Sequence, residues 1–354
     1  MNSAIDPNTH ESALMTRKMK LLTPLLALVF LLAILFAWLL LAYKPPPVDP
    51  AWALPGSENI PPGAVTVRFT GTSTLLFSDG ETRWMVDGWF SRPGPFSVLF
   101  GKVAPDLAAI ARGLAANNVT ELDAVFAMHS HYDHAMDSPE VARRTGAVLL
   151  GSESTANIGR GWGLPESQIQ VVANHAPFQL GQFVITPIES RHFEFADPKL
   201  RERLLENTSI AEPLVPPVAA FDYRLGKAYV LHVSHPRGSW LVVGSAGYEE
   251  GVLEGVSADI VFLGVGGLGS QTAQYRESFW RETVGRVSPS RVIPIHYDSL
   301  TAPAQGPFRG PLNAEALVAG GLEDTRSFLE QKAADNPSLR FNTLPRFDEV
   351  VLFE

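Results

Sequence analysis

Short apolar runs separated by glycine, proline and acidic residues recur after residue 64 and predict strands joined by turns. Stretches with apolar residues at helical spacing lie between them. Strands dominate the first part and strand-helix alternation the second, which predicts one α/β domain over residues 64–354. The predicted strands are AVTVRFTGTSTLLFS, TRWMVDGWF, LDAVFAM, AVLLG, FVITPIES, YVLHVSH, SWLVVGSAG, DIVFLGVGG, RVIPIHYD and EVVLF. The predicted helices are PDLAAIARGLAANN, one near DSPEVARRTG that Asp137 or Ser138 can cap, AQYRESFWRETVGRV and AEALVAGGLEDTRSFLEQKAA.

Residues 21–43 contain no charged side chain. As a helix this segment would be about 34 Å long, which is enough to cross a bilayer. Arg17, Lys18 and Lys20 precede it and only Lys44 follows closely, so we predict a cytoplasmic N-terminus over residues 1–20 and an extracytoplasmic domain, periplasmic in a bacterium. A cleaved signal peptide is the alternative. The run exceeds the usual apolar region of such peptides, and AWLLLAYK lacks a small-residue cleavage pattern, so we favour an uncleaved signal-anchor.

Residues 44–63 contain seven prolines and predict a stiff spacer between this transmembrane helix and the domain. The chain has 28 Lys and Arg against 37 Asp and Glu, a formal net charge of −9. An acidic chain argues against nucleic acid as a partner, because phosphate binding requires a basic face. The chain has no cysteine, which excludes disulfides and thiolate ligands.

The sequence HSHYDH at residues 129–134 places three histidines and one aspartate directly after an apolar strand. A predicted helix follows it. A tight loop at the end of a strand can direct several side chains at one point. Imidazole and carboxylate are ligands that Zn²⁺ and other divalent first-row metals accept. The cluster therefore predicts a metal site.

The HSHYDH motif resembles the signature of the metallo-β-lactamase superfamily, and further residues recur in the family order. Asp87 ends the strand WMVD, where the family has an aspartate that supports the metal loop. The resemblance implies an αββα sandwich and a zinc hydrolase in which a metal-bound water or hydroxide is the nucleophile. Asp133 would also orient that water or accept its proton. The implied ligands are His129, His131 and His192 for a first metal, and Asp133, His134 and His296 for a second.

One position departs from the commonest family pattern. Ser245, in VVGSAG, occupies the place of an aspartate that usually bridges the two metals. Glu249 and Glu250 follow it and are expected to be exposed rather than to replace it. The all-histidine zinc β-lactamases also tend to have serine there, so two metals remain compatible with this sequence. We expect one tightly held and one weaker zinc ion.

The loop DGWFSRPGPF after Asp87 resembles that of the branch with N-acylphosphatidylethanolamine phospholipase D and the ascorbate-phosphate lactonases. This resemblance and the membrane helix suggest a lipid or other phosphodiester substrate, or a lactone. The alternatives are a lactam hydrolase of the all-histidine type and a membrane-tethered metal-binding protein without turnover. A redox iron enzyme is disfavoured, because the bridging carboxylate is missing.

Several weaker signals have ordinary structural explanations. The stretch GVGGLG at residues 264–269 fits a loop beside a metal cleft better than a dinucleotide site, because no acidic strand end follows at the required distance. Residues 195–220 mix charges and prolines and could form a lid or a surface excursion. His232 and His235 are expected to be structural, and His175 competes weakly with His192 for the third-ligand position. Tyr132 and Tyr297 are expected to pack beside the site.

Overall fold

Hydrogen bonding joins fourteen strands into two seven-stranded sheets in the computed structural model, which describes residues 7–194, 202, 208–313 and 322–354. The strands are β1 (Val65–Gly71), β2 (Thr74–Ser78), β3 (Arg83–Val86), β4 (Ala124–Phe126), β5 (Val148–Gly151), β6 (Ile169–Val171), β7 (Phe178–Leu180), β8 (Phe183–Ser190), β9 (Ala228–His235), β10 (Gly238–Val243), β11 (Ile260–Gly264), β12 (Arg291–Ile295), β13 (Arg340–Phe341) and β14 (Glu349–Phe353). The α-helices are α1 (Pro7–Leu41), α2 (Pro95–Phe100), α3 (Leu107–Ala116), α4 (Tyr132–Ala135), α5 (Ser138–Thr145), α6 (Glu153–Gly161), α7 (Ala273–Trp280) and α8 (Leu322–Asp335).

The first sheet has the order β14-β1-β2-β3-β4-β5-β6, and the second has the order β13-β12-β11-β10-β9-β8-β7. Each sheet is mixed. Strands β3 to β6 are parallel to one another, as are β10 to β13, whereas the other neighbours are antiparallel. Parallel neighbours end at the same edge of a sheet, so the loops after them collect there. Two mixed sheets with helices confirm the α/β class and fit a metallo-β-lactamase fold.

Large aromatic side chains fill the space between the sheets. The ring of Phe77 on β2 lies 5.1 Å from that of Trp240 on β10 and 5.4 Å from that of Phe262 on β11. Trp84 on β3 contacts Phe183 on β8 with ring centroids 6.2 Å apart. All five side chains are fully buried. Their packing fixes how closely the two sheets approach.

Helices cover the outer face of the first sheet. Ile110 of α3 and Val141 of α5 pack in one apolar cluster with Met85 and Val125 of the sheet. Because β4 is buried on both faces, its sequence reads as a continuous apolar run instead of an alternating one. This explains why the run preceding HSHYDH carried no period-two pattern.

The sequence pattern missed some boundaries. AVTVRFTGTSTLLFS forms two strands, because Thr72 has a φ of 54° and turns the chain between β1 and β2. The short strands β6, β7 and β13 were not predicted, since two or three residues at a sheet edge show no periodicity. In the last predicted helix, the structure describes α8, and residues 314–321 lie outside the described part.

The segment that we predicted as a spacer lies against the body. Lys44 N donates to Pro311 O at 2.9 Å, and Ser57 N donates to Glu349 O at 2.7 Å. Trp52 stacks on Phe341 with ring centroids 4.9 Å apart. Residues 44–57 are therefore not a detached spacer, because backbone and aromatic contacts attach them to the body.

One helix among the described residues is long and apolar enough to cross a membrane. Its apolar part runs over Leu22–Leu41, twenty residues, and none of it is buried inside the protein. This matches the predicted transmembrane segment in length and composition. A signal sequence near an N-terminus has the same properties, and orientation is not determined by them.

The contact between α3 and the loop after β3 gives a stability test. A methyl carbon added at Gly113 would lie 2.1 Å from Cδ1 of the buried Phe90 ring. Gly113→Ala should therefore lower the free energy of unfolding by about 1–3 kcal/mol despite the better helix propensity of alanine. Urea unfolding followed by circular dichroism measures this change.

The matched control is Gly113→Ala combined with Phe90→Leu, which removes the ring. The double variant should lose less than the sum of the two single losses, because the clash is absent. Additive losses would contradict a direct contact between the two positions.

Candidate metal centre

The candidate site lies at the shared edge where the parallel strands of both sheets end. The loop after β4 supplies residues 129–134, and α4 forms a single turn over its second half. His192 follows β8, and His296 follows β12 directly. The site therefore draws on both sheets.

The first group consists of His129, His131 and His192, with one nitrogen of each within 4.8 Å of the others. His129 Nε2 and His131 Nδ1 lie 3.1 Å apart. His192 Nδ1 donates to the Phe193 carbonyl at 2.9 Å, so Nε2 is the ring nitrogen that would serve as the ligand. These are the three residues that the family resemblance implies for a first metal.

The second group consists of Asp133, His134 and His296. Asp133 Oδ2 lies 3.5 Å from His134 Nε2 and 3.3 Å from His296 Nε2. The two imidazole Nε2 atoms are 3.2 Å apart. The two groups are adjacent, since the rings of His129 and His134 have centroids 3.7 Å apart. Two metal ions held here would be neighbours.

Asp87 orients the second group. His134 Nδ1 donates to Asp87 Oδ2 at 2.8 Å, so His134 Nε2 faces Asp133 and His296. The other oxygen of Asp87 accepts from Met128 N at 2.8 Å, next to His129. This agrees with the supporting role implied for Asp87, and such carboxylate-imidazole pairs tune metal ligands. Ser73 Oγ also donates to Asp87 and was missed by the sequence analysis.

The electrostatics of the groups suit a cation. Burial lowers the pKa of His129 well below its ordinary value, and neighbouring imidazoles lower it further. Burial has the same effect on the pKa of His192. Burial alone would raise the pKa of Asp133, but His134 and His296 lower it overall. Burial thus favours the neutral form of His129 and His192, while Asp133 is held ionised, and both are forms that bind a divalent metal.

The remaining imidazole, His134, differs. Burial alone would lower its pKa, but the carboxylates of Asp87 and Asp133 outweigh burial and raise it. The same negative charge that favours a proton on His134 favours a metal ion beside it.

A strained turn holds His296. Its φ is 56°, and its N–H donates to the carbonyl of Thr72 at 2.5 Å. Thr72 also has a positive φ, and its N–H donates to Asp298 Oδ1 at 2.5 Å. Arg92 and Arg346 lie 3.8 and 3.5 Å from Asp298 Oδ2. Local sequence patterns do not indicate these partners, because Thr72, Arg92 and Arg346 come from three distant segments.

Asp137 has a different role from the predicted helix cap. It precedes α5, but its side chain makes no capping hydrogen bond. Its carboxylate accepts from Phe90 N and Ser91 N at 2.8 and 2.6 Å and from Ser91 Oγ at 2.8 Å. Burial raises the pKa of Asp137 to about 6, against the lowering effect of these donors. The residue ties the loop after Asp87 to the start of α5.

Ser245 lies two residues past the end of β10, although the predicted strand SWLVVGSAG included it, and neither nearby glutamate belongs to either group. Its Oγ is buried without a hydrogen-bond partner among the described residues. Glu249 forms an ion pair with Arg191, and the side chain of Glu250 is 73% exposed. The described site therefore contains one carboxylate ligand candidate, Asp133.

The glycine-rich loop packs close to the site. A methyl carbon at Gly266 would lie 2.5 Å from His296 Nδ1, and one at Gly267 would lie 2.7 Å from the ring of Phe193. Glycine is thus required at both positions by close approach to the site itself.

The other histidines lie outside the two groups. His175 is exposed, His232 Nε2 lies 3.1 Å from the carbonyl oxygen of Ser257, and His235 Nε2 is 3.5 Å from Asp79. None of the three belongs to a metal group among the described residues, and the structural role of His232 and His235 stays a prediction.

The two tyrosines of the site pack as expected. Tyr132 meets Trp89 edge to face with ring centroids 6.0 Å apart, and Tyr297 packs on Phe69 and Phe308. For residues 195–220 the sequence left open a lid or a surface excursion, and residues 195–201 and 203–207 lie outside the described part.

A family model described as a beta-lactamase superfamily domain matches residues 82–207. The matched segment contains Asp87, the whole of the 129–134 loop and His192, and it ends before His296. The match supports the superfamily that the sequence resembles. No curated protein matches the sequence.

Three of the solved structures that resemble this chain have a named source. Igni18, a metallo hydrolase from the archaeon Ignicoccus hospitalis, is 15% identical, with 82% of this chain and 99% of that chain covered and a TM-score of 0.46. An isothiocyanate hydrolase from Delia radicum gut bacteria is 14% identical, with 82% and 99% covered and a TM-score of 0.48. CmlA, a diiron beta-hydroxylase from Streptomyces venezuelae, is 12% identical, with 84% and 55% covered and a TM-score of 0.45. Identities this low do not transfer an activity to this chain.

The contact between Asp87 and His134 gives a test of the second group. Asp87→Asn keeps the shape but removes the charge that orients and polarises His134. We expect the second group, Asp133, His134 and His296, to bind its metal ion roughly 10–100-fold more weakly in this variant. Metal titration by isothermal calorimetry measures the affinities.

Asp79→Asn is the matched control, because Asp79 is also buried but contacts the β2–β3 turn and not the site. It should leave metal affinity unchanged. Equal losses in both variants would mean that Asp87 acts through general stability alone.

Proposed function

We propose that this protein is a membrane-anchored, metal-dependent hydrolase of the metallo-β-lactamase superfamily. The observation that carries the proposal is the pair of adjacent ligand groups at the strand ends, in which His129 and His192 favour the neutral form and Asp133 is ionised. Five imidazoles and one carboxylate in two adjacent groups would otherwise be a costly burial of polar side chains. The superfamily match over residues 82–207 supports the same reaction class.

Each group has a separate role in the proposal. His129, His131 and His192 would hold one metal ion, and Asp133, His134 and His296 would hold the other. A divalent metal in such a site lowers the pKa of water and polarises the bond to be broken. Asp133 would act in two ways, because its carboxylate is both a ligand and the one described base in the groups that can orient a water or accept its proton.

We propose Zn²⁺ as the metal. Imidazole-rich groups with one carboxylate suit zinc, whereas iron pairs commonly rely on more oxygen ligands. Ser245 supplies no carboxylate between the two groups, and Glu249 is engaged by Arg191. The second ion would therefore be the weaker one.

The proposed substrates are a phosphodiester or phospholipid, or a lactone. The loop after Asp87 supports this through its resemblance to the phospholipase and lactonase branch, and its Trp89 packs against Tyr132 beside Asp133. The apolar helix Leu22–Leu41 supports a lipid environment. A lactam hydrolase of the all-histidine type is the alternative, favoured by Ser245.

The proposed topology places residues 1–20 in the cytoplasm and the folded domain on the outer side, because Arg17, Lys18 and Lys20 precede the apolar segment. The proposed partners are the membrane and a small-molecule or lipid substrate. The acidic net charge supports the absence of nucleic acid among them.

Metal content should show one tight and one weak site. After dialysis against a mild chelator, elemental analysis should find close to one zinc per chain, and Ser245→Asp should restore the second ion by adding a carboxylate. Ser245→Asn is the matched control, since it adds the same bulk without the charge. Two ions retained equally by the unmodified protein would contradict this expectation.

Removal of a first-group ligand should abolish activity. His131→Ala should lose the tightly held metal and any hydrolysis detected with phosphodiester, lactone, lactam and thioester reporters. His232→Ala is the matched control, because His232 lies outside both groups. Retained hydrolysis in His131→Ala would contradict the assignment, and silence of the zinc-loaded parent protein with all four reporters would favour a metal-binding protein without turnover.

A further inference from the structure

The short helix α2 exposes large apolar side chains next to the candidate site. Phe96 is 72% exposed, Leu99 is 57% exposed and Phe100 is 82% exposed. Their spacing of three and four residues places them on one face of the helix. Single exposed apolar residues are ordinary, but three on one helical face form a patch that another apolar phase would cover.

The opposite side of α2 attaches it firmly to the body. Val98 packs in an apolar cluster with Trp89 and Leu300. Just after the helix, Val103 N donates to Val218 O at 2.7 Å, and Val215, 64% exposed, lies three residues before that contact. The patch therefore lies on a helix that is attached to the body on its other side.

The end of the apolar helix α1 is attached to the same region. Asn313 donates from its backbone N to Ala42 O and from Nδ2 to Leu39 O, both at 2.8 Å. Tyr43 OH donates to Thr301 O at 3.1 Å. Thr301 follows Leu300, which shares the cluster with Val98 of α2. The contacts hold the body directly at the end of α1, without a free spacer.

We infer that α2 docks into the outer leaflet of the membrane that α1 crosses, with Phe96, Leu99 and Phe100 in the interfacial region. A lipid bilayer would cover the apolar patch. The attachment of α1 holds the body at the membrane surface, and large apolar side chains partition into the membrane interface. Lys102 is exposed just after the helix and suits anionic headgroups.

Docking would also orient the site. Trp89 lies in the cluster under α2 and contacts Tyr132, the neighbour of Asp133. The metal groups would therefore lie close to the headgroup layer. The inference depends on α1 as an anchor and does not depend on hydrolysis.

The absence of cysteine allows a direct test with the full chain. Single variants Phe100→Cys, Trp38→Cys and Glu121→Cys are labelled with the environment-sensitive fluorophore NBD and reconstituted into vesicles of phosphatidylcholine and phosphatidylglycerol. Glu121 is exposed at the end of β4 opposite the metal loop and serves as the aqueous control, and Trp38 in α1 reports the anchor. Quenching is measured with nitroxide-labelled lipid and, separately, with aqueous iodide.

The label at position 100 should be quenched by nitroxide lipid several-fold more than the label at 121, and iodide should show the reverse order. Adding Phe96→Ser and Leu99→Ser to the Phe100→Cys variant should reduce the lipid quenching, because the patch loses apolar surface.

Two results would overturn the inference. In the first, nitroxide lipid quenches the label at position 38, but iodide quenches the label at position 100 as strongly as the label at position 121. The anchor would then be in the membrane while α2 remained in water. The second is protection of position 100 from iodide without quenching by nitroxide lipid, since protein, such as a second copy, would then cover the helix. Loss of lipid quenching at both 38 and 100 would remove the anchor and the docking together, while metal content and hydrolysis would still report on the proposed function.

Discussion

The packing of one sheet on the other is the constraint on which the site depends. Phe77 and Trp84 of the first sheet meet Trp240, Phe262 and Phe183 of the second, and these buried rings set the distance between the sheets. The ligand candidates come from both sides of this layer. A change in sheet separation would move His192 and His296 away from the 129–134 loop, because rigid strands carry them. The aromatic layer therefore stabilises the fold and fixes the geometry of the metal groups.

Polar contacts then orient the metal-ligand candidates that the packing of the sheets brings together. Asp87 fixes the ring of His134, and the chain of hydrogen bonds from Asp298 through Thr72 fixes the backbone of His296. Both devices include residues with positive φ, a conformation that costs free energy unless the surroundings enforce it. This free-energy cost falls on residues that set the direction of the metal-ligand side chains. The buried negative charge of Asp87 and Asp133 raises the pKa of His134. The same charge would attract a metal cation.

Much of the fold was predictable, for reasons that differ between elements. The long strands and the helix α3 carry strong periodic patterns, and HSHYDH is distinctive because polar ligands follow an apolar strand. The strands β6, β7 and β13 were missed because so few residues show no period. The expectation that residues 44–63 form a detached spacer missed the packing of this segment on the body. Prolines indicate local stiffness, but they do not indicate whether an extended segment packs on the domain. Here Trp52 packs on Phe341.

Residue types and local patterns were enough to predict the chemistry of the site from its imidazole and carboxylate donors, and to find the serine at position 245 and the uncharged apolar segment near the N-terminus. The supporting role of Asp87 was implied by the family resemblance. The family resemblance implied which donors share a group, but only the packed fold shows that the groups are adjacent and that Ser73, Asp137 and Asp298 support the loops around them. The physical reason is that residue type and local spacing encode ligand chemistry and secondary structure. Distances between segments more than a hundred residues apart follow instead from how the two sheets pack.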